Sequence, residues 1–180
     1  GSISIASTGA VNTAAVGSYN IVPSAATGGT FSASNYSITY TNGTLTVGTA
    51  ALIITADNLS KIYGFSNVGG PGSGSFTSSG LQNGEVLSTV TITPIGTTSP
   101  QVVGVYDIVP SEVVRSSPTF FASNYSITYV NGTLTVTPYP LTVTANTATH
   151  AYGATLTPGS GASPLSVTGM RYSETLAGTV

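Results

Sequence analysis

One stretch of this chain occurs twice. Ala33 to Val47 reads ASNYSITYTNGTLTV and Ala122 to Val136 reads ASNYSITYVNGTLTV; Thr41 against Val130 is the only difference, and Asn35 to Asn124 sets the spacing at 89 residues. A near-identical copy at a fixed spacing marks a tandem array of supersecondary units. Within each copy apolar and polar residues alternate, so side chains two positions apart share a face. Tyr36, Ile38, Tyr40, Leu45 and Val47 fall on one face, and Ser37, Thr39, Thr41, Thr44 and Thr46 on the other. Asn42-Gly43 lies between the two runs and predicts a hairpin, because both central residues of a type I′ turn need φ > 0 and Asn and Gly reach it at least cost. Thr41 then faces Thr44, Tyr40 faces Leu45, Thr39 faces Thr46 and Ile38 faces Val47. In the second copy Tyr125, Ile127, Tyr129, Leu134 and Val136 repeat the inward face.

A second pair of segments keeps the same spacing. Ala51 to Gly64, ALIITADNLSKIYG, returns as Pro140 to Gly153, PLTVTANTATHAYG. Each opens with a strand, Leu52 to Ala56 or Leu141 to Ala145, and ends in Tyr-Gly, where the glycine is expected in a conformation closed to other residues. Gly69 to Gly74, GGPGSG, reads as a loop by composition, with Pro158 to Ala162 as its counterpart. Phe76 to Leu87 and Leu165 to Leu176 share a strand, then Gly80-Leu81 or Gly169-Met170, then Glu85 or Glu174. Ser79 and Thr168 are placed to cap a single helical turn. A strand is expected over Leu87 to Ile95. Gly17 to Pro23, GSYNIVP, matches Gly104 to Pro110, GVYDIVP, at a spacing of 87; loops absorb such length changes. Ile5 maps to Ile92 at that spacing. Residues 1–49 therefore read as the C-terminal half of one repeat, 50–138 as a complete repeat, and 139–180 as the N-terminal half of the next.

Only 4% of the 180 residues are charged while 40% are hydrophobic, against ~25% charged in ordinary domains. The chain can bury a core, unlike a charged disordered segment. Lys61, Arg115 and Arg171 are the basic residues besides His150, and the net charge is −2. Nucleic-acid binding needs a basic stripe and is excluded as a partner class. No apolar run approaches the ~20 residues of a membrane-spanning helix, so no membrane insertion is expected of this segment. The absence of cysteine excludes disulfides and leaves both the cytosol and secreted repeat proteins open.

The ordered blocks LxVTA…YG, a strand with Gly-Leu, GxYxI and NYxIxYxNGTLTV resemble the MBG domain, a repeat of bacterial surface and secreted proteins. They stand here as Leu141 to Ala145 with Tyr152-Gly153, Gly80-Leu81, Gly104 to Ile108, and Asn124 to Val136. The resemblance spans essentially the whole chain. It implies very large filamentous-haemagglutinin-like adhesins and matrix proteins in which many copies form a stalk, at the bacterial cell surface or outside it. It brings no catalytic residues.

The residues themselves carry little chemistry. The acids Asp57, Glu85, Asp107, Glu112 and Glu174 are dispersed, whereas acid–base work needs paired or positioned groups. Asp57 is Asn146 and Asp107 is Asn20 in the other copies, so those positions need polarity rather than charge. Glu85 and Glu174 are equivalent, and a cap or loop hydrogen bond explains them. His150 aligns with Lys61 and has no second His or Cys to complete a zinc site; calcium would need clustered acidic oxygens. A Lys61–Asn crosslink finds no lysine in the other copy. Tyr36, Tyr40, Tyr125 and Tyr129 read as core. Tyr139, between Pro138 and Pro140, reads as the most exposed tyrosine and as interdomain packing before ligand binding. Asn35, Asn42, Asn58, Asn124 and Asn131 open N-x-[ST] motifs, read as turn and strand chemistry, with glycosylation left open.

The expectation is an all-β protein of tandem, sandwich-like antiparallel repeats of about 89 residues in an elongated rod, not an enzyme, with no catalytic, cofactor or metal residues. Gly48-Thr-Ala-Ala51 and Thr137-Pro-Tyr-Pro140 are short linkers, and the prolines favour extended geometry. A rod would advance roughly 30–40 Å per repeat if a ~10-residue strand lay along its axis. The expected partners are neighbouring copies of the repeat, joined head to tail covalently or by strand exchange, the covalent form being favoured. A module that binds exopolysaccharide in a biofilm matrix through exposed Tyr and Asn is the alternative.

Overall fold

The computed structural model describes residues 1–66, 70–95, 102–114, 119–147, 149–154 and 165–176. The fold is all-β, with 3-10 turns at Thr8–Ala10, Ala33–Asn35 and Ala122–Asn124. Strands β1 (Ser2–Ala6), β2 (Gly17–Thr27) and β3 (Gly43–Val47) form an antiparallel sheet in that order. Eight strands follow: β4 (Ala50–Ala56), β5 (Leu59–Ile62), β6 (Gly70–Ser73), β7 (Phe76–Ser79), β8 (Thr89–Pro94), β9 (Gly104–Val114), β10 (Tyr125–Val130) and β11 (Gly132–Thr137). They make two sheets, ordered β10-β4-β7 and β5-β11-β9-β8-β6. Finally β12 (Thr142–Ala145) pairs antiparallel with β13 (Leu165–Thr168).

Period-two alternation builds the core. Leu52, Ile54 and Ala56 of β4 and Tyr125 of β10 point inward from one sheet; Val90 and Ile92 of β8, Ile108 of β9, and Leu134 and Val136 of β11 meet them from the other. Phe120 joins this cluster and stacks on Tyr125 with ring centroids 5.5 Å apart. Two facing sheets with one shared apolar interior are a β-sandwich, and each aliphatic side chain buried there contributes ~1.5–3 kcal/mol.

The flanking sheets copy parts of this sandwich. The β12–β13 register, Val143 opposite Val167, is that of Ile54 opposite Ser78 moved 89 positions along. The β2–β3 pairs Tyr19–Leu45 and Ile21–Gly43 correspond to Tyr106–Leu134 and Ile108–Gly132. Even the bulge recurs, with Ala25 at φ 49° and Glu112 at φ 38°. The glycines that end the Tyr-Gly pairs behave as the sequence implied, Gly64 at φ 86° and Gly153 at φ 81°.

Four local expectations are corrected. The Asn-Gly segment is not a type I′ hairpin. Strand β10 pairs parallel with β4, and β11 pairs antiparallel with β9 and parallel with β5, so β10 and β11 lie in different sheets. Asn131 and Gly132 do not have positive φ. Gly132 is required for another reason: a Cβ there would sit 2.5 Å from the Asp57 carbonyl oxygen and 2.6 Å from that of Ala56. The sheets are consequently mixed rather than purely antiparallel. Gly70–Ser73, expected as loop, is strand β6; Gly69 and Pro158 to Ala162 lie outside the described residues. It occupies a sheet edge, where proline is tolerated. Ser79 and Thr168 end strands and cap no helix; Glu85 N bonds Gln82 O across a plain turn. Tyr129, expected inward, is 38% exposed, because the inward row of β10 runs from the buried Tyr125 out past the edge of the core.

Candidate functional site: the joints of the sandwich

The sandwich spanning 50–137 is joined to residues 1–47 (the head) at one place and to residues 139–176 (the tail) at another. Strand β3 ends only two residues before β4 begins. Asn124 Oδ1 accepts from Val16 N at 3.1 Å, and Asn83 Nδ2 donates to Asn12 O at 3.1 Å. A cavity of about 450 Å³ lies beside these bonds, lined by Asn12 to Val16 of the head and by Gln82, Asn83, Glu85, Phe121, Asn124 and Tyr125 of the sandwich, among others. The Tyr125 hydroxyl anchors its wall, donating to Glu85 Oε2 at 2.7 Å and accepting from Gln82 N at 3.0 Å. Burial, then the Glu85 bond, raises the Tyr125 pKa, so the phenol stays protonated.

The second joint is more aromatic. Tyr63 follows β5 and is fixed by its backbone N–H to Thr137 O at 2.9 Å. Its hydroxyl donates to Glu174 Oε1 at 2.6 Å, and its ring meets Tyr172 edge-on with centroids 5.7 Å apart. Arg171 lays its guanidinium over the rings of Tyr139, at 4.0 Å, and Phe65, at 4.9 Å. Its Nε is buried with no hydrogen-bond partner among the described residues, so the aromatic faces hold the cation. Gly64 makes room for it: a Cβ at Gly64 would lie 2.7 Å from Arg171 Cγ. The Tyr63 pKa is raised, first by the Glu174 bond and then by desolvation.

Both joints use one structural device. Asn83 (φ 54°) and Gly84 (φ 72°) correspond by the 89-residue spacing to Tyr172 (φ 52°) and Ser173 (φ 58°). The turn that carries Asn83 reaches back to the head, and the turn that carries Tyr172 reaches back to the sandwich. Tyr139 is half-buried in the second joint, in packing rather than in a free surface. Of the other residues singled out from the sequence, Asn58 Oδ1 accepts from Thr133 N and Oγ1, both at 2.9 Å, tying β5 to β11. Lys61 Nζ donates to Phe65 O at 3.4 Å and His150 Nδ1 lies 3.0 Å from Ala151 O, both at the surface. Asp57, Asp107 and Glu112 are spread along separate strands and loops. Among the described residues no group of three His, Cys, Asp or Glu could hold a metal ion, and no helix is long and apolar enough to cross a membrane.

Sequence reasoning did not find Arg171, Tyr172 or the Tyr63–Glu174 bond. Gln82 and Asn83 stand at the equivalent positions, so the duplication gave no aromatic or cationic signal there. No curated protein and no solved structure matched the chain. A family model, MBG domain (YGX type), matches residues 2–46 and again residues 52–135, together more than half of the chain. Tyr63-Gly64, which the second match includes, supplies the YG and places its tyrosine in the joint; the chain belongs to the MBG domain family of the YGX type.

Proposed function

We propose that this chain is a structural segment of a bacterial cell-surface or secreted filament, the stalk of an adhesin or a matrix fibre, in which successive repeats join head to tail. Residues 1–49 and 139–180 act as half-repeats flanking the complete repeat 50–138. The observation that carries this reading is the use of one turn at both joints. A contact made by the same surface element toward the preceding unit each time is heterologous, and such contacts propagate in one direction. The short linkers and the bonds across each joint restrict swinging, which suits a rod. The segment works without catalysis, in the extracellular setting usual for its family.

Small-angle scattering from tandem proteins of increasing repeat number tests this. The maximum dimension should rise linearly, by roughly 30–40 Å per repeat. A radius of gyration that follows compact scaling, about 2.2·N^0.38 Å for N residues, would sink the rod. The alternative is binding of exopolysaccharide through exposed Tyr and Asn. Tyr152 is fully exposed but occupies the position that Tyr63 uses in a joint, which favours packing over sugar stacking. Retention on a glycan array would reverse that preference.

A further inference from the structure

Duplicated residues differ sharply in exposure. Phe31 is 38% exposed and Tyr36 63%, where their counterparts Phe120 and Tyr125 are at 1% and 7%. Ile5 is 69% exposed against 0% for Ile92, and Leu141 51% against 0% for Leu52. The head already stacks Phe31 on Tyr36, centroids 5.2 Å apart, as Phe120 stacks on Tyr125. Tyr36–Thr41 is nevertheless not a strand, although Tyr125–Val130, alike at all but the last position, is one. What the second has and the first lacks is β4 alongside it. The tail carries the copy of β4, strand β12, with β13 on one side in the β4–β7 register and its other edge open.

We infer that the head of one copy completes the tail of a second copy by parallel strand addition, Tyr36–Thr41 lying along Tyr139–Thr144 in the register of β10 on β4. This rests on the head-to-tail reading above and names the surfaces that join. The register places Ile38 beside Leu141 and Tyr40 beside Val143, as Ile127 stands beside Leu52 and Tyr129 beside Ile54. Pro140 does not obstruct it. A Cβ on Gly169 would strike the Pro140 carbonyl oxygen, as one on Gly80 would strike that of Ala51. Carbonyl and ring nitrogen of Pro140 therefore face the β13 side, and the edge offered to the incoming strand keeps its donors and acceptors. Tyr36 of the incoming head takes the place of Tyr125 and brings its hydroxyl to Glu174, as Tyr125 does to Glu85. Partial sheets with open edges pair readily with a matching strand, and here the matching strand is nearly identical to the one that fills the place in the sandwich.

Gly43 supplies the test. In the head a Cβ at Gly43 meets only Ile21, at 3.6 Å, an ordinary contact. In the completed tail it would run into the backbone of Ala145 and Asn146, as one at Gly132 runs into that of Ala56 and Asp57. Sedimentation of the 180-residue polypeptide should show oligomers that lengthen with concentration. Gly43→Val should keep the monomer's circular dichroism and raise the concentration needed for assembly by ~100-fold or more. A synthetic peptide of residues 122–136 should cap tails and shorten the oligomers, and the same peptide carrying Gly132→Val should not. The peptide arm decides the matter even if Gly43→Val misfolds. Monomers at every concentration, or assemblies indifferent to Gly43→Val and to the peptide, would overturn the inference. An extended scattering profile from such monomers would leave the stalk reading standing, whereas a compact one would remove both.

Discussion

The hydroxyl of Tyr63 donates to Glu174 Oε1 at 2.6 Å, between residues 111 positions apart. The equivalent carboxylate, Glu85, takes the hydroxyl of Tyr125 at 2.7 Å within a single sandwich. One position in the repeat thus fastens a fold in one copy and a joint in the other. Glu174→Ala should loosen the tail without melting the sandwich, shifting its stability by less than ~0.5 kcal/mol. Tyr125→Phe should destabilise the sandwich by ~1–2 kcal/mol, since Gln82 N and Glu85 both lose a partner. Urea denaturation reads the second, and limited proteolysis of residues 139–176 reads the first.

Alkaline titration should separate the same two tyrosines from the rest. Both are raised above the ordinary value of 10.0, Tyr63 chiefly by its bond to Glu174 and Tyr125 chiefly by desolvation. A raised folded-state pKa means that the folded chain holds the proton more tightly than the unfolded one. Their contribution is therefore complete below pH ~10 and is lost as pH climbs through the raised values. Tyrosinate absorbance should show two late-ionising groups, and Glu174→Ala should return Tyr63 toward the ordinary value while Tyr125 stays high.

Gly132→Ala should be among the most damaging single-atom additions to the sandwich. Its Cβ would press on two backbone carbonyls that cannot move independently of β4, and a loss of ~3 kcal/mol or more is expected. Thermal unfolding measures it. An effect below ~1 kcal/mol would mean that the β4–β11 approach is looser than this geometry.

The paired leucines offer a control internal to the chain. Leu134 is fully buried and Leu45, its copy, only partly so. Leu134→Ala should cost ~2–5 kcal/mol and Leu45→Ala ~1 kcal/mol in a dilute sample. The gap should narrow as concentration rises if heads become covered.

The faces of the strands were legible in the sequence because alternation is a local property. Leu52, Ile54, Leu134 and Val136 were placed inward and are buried. Strand partners were not legible. Alternation says which way Ile127 points, but not that its neighbour is Leu52, 75 positions away. Asn131-Gly132 carries a hairpin's residue signal for a different cause, the close approach of another strand. Tyr36–Thr41 makes the same point in reverse, since nearly the same residues are a strand only where β4 lies beside them. The joints were less visible still, because Arg171 and Tyr139 meet through side chains that have no counterpart in the other copy.

The parallel pairings have a mechanical meaning. The chain enters the sandwich at Ala50 on β4 and leaves at Thr137 on β11. Strand β4 is held along its length by β10, from Tyr125–Ala50 to Val130–Thr55, and β11 by β5, from Leu134–Leu59 to Thr137–Ile62. Tension applied between these two ends slides each ladder along its own axis, so its hydrogen bonds share the load and must yield together. An antiparallel hairpin pulled from its open end would instead unzip one bond at a time. The topology that misled the local reading of Asn-Gly is the one that lets this sandwich resist being stretched.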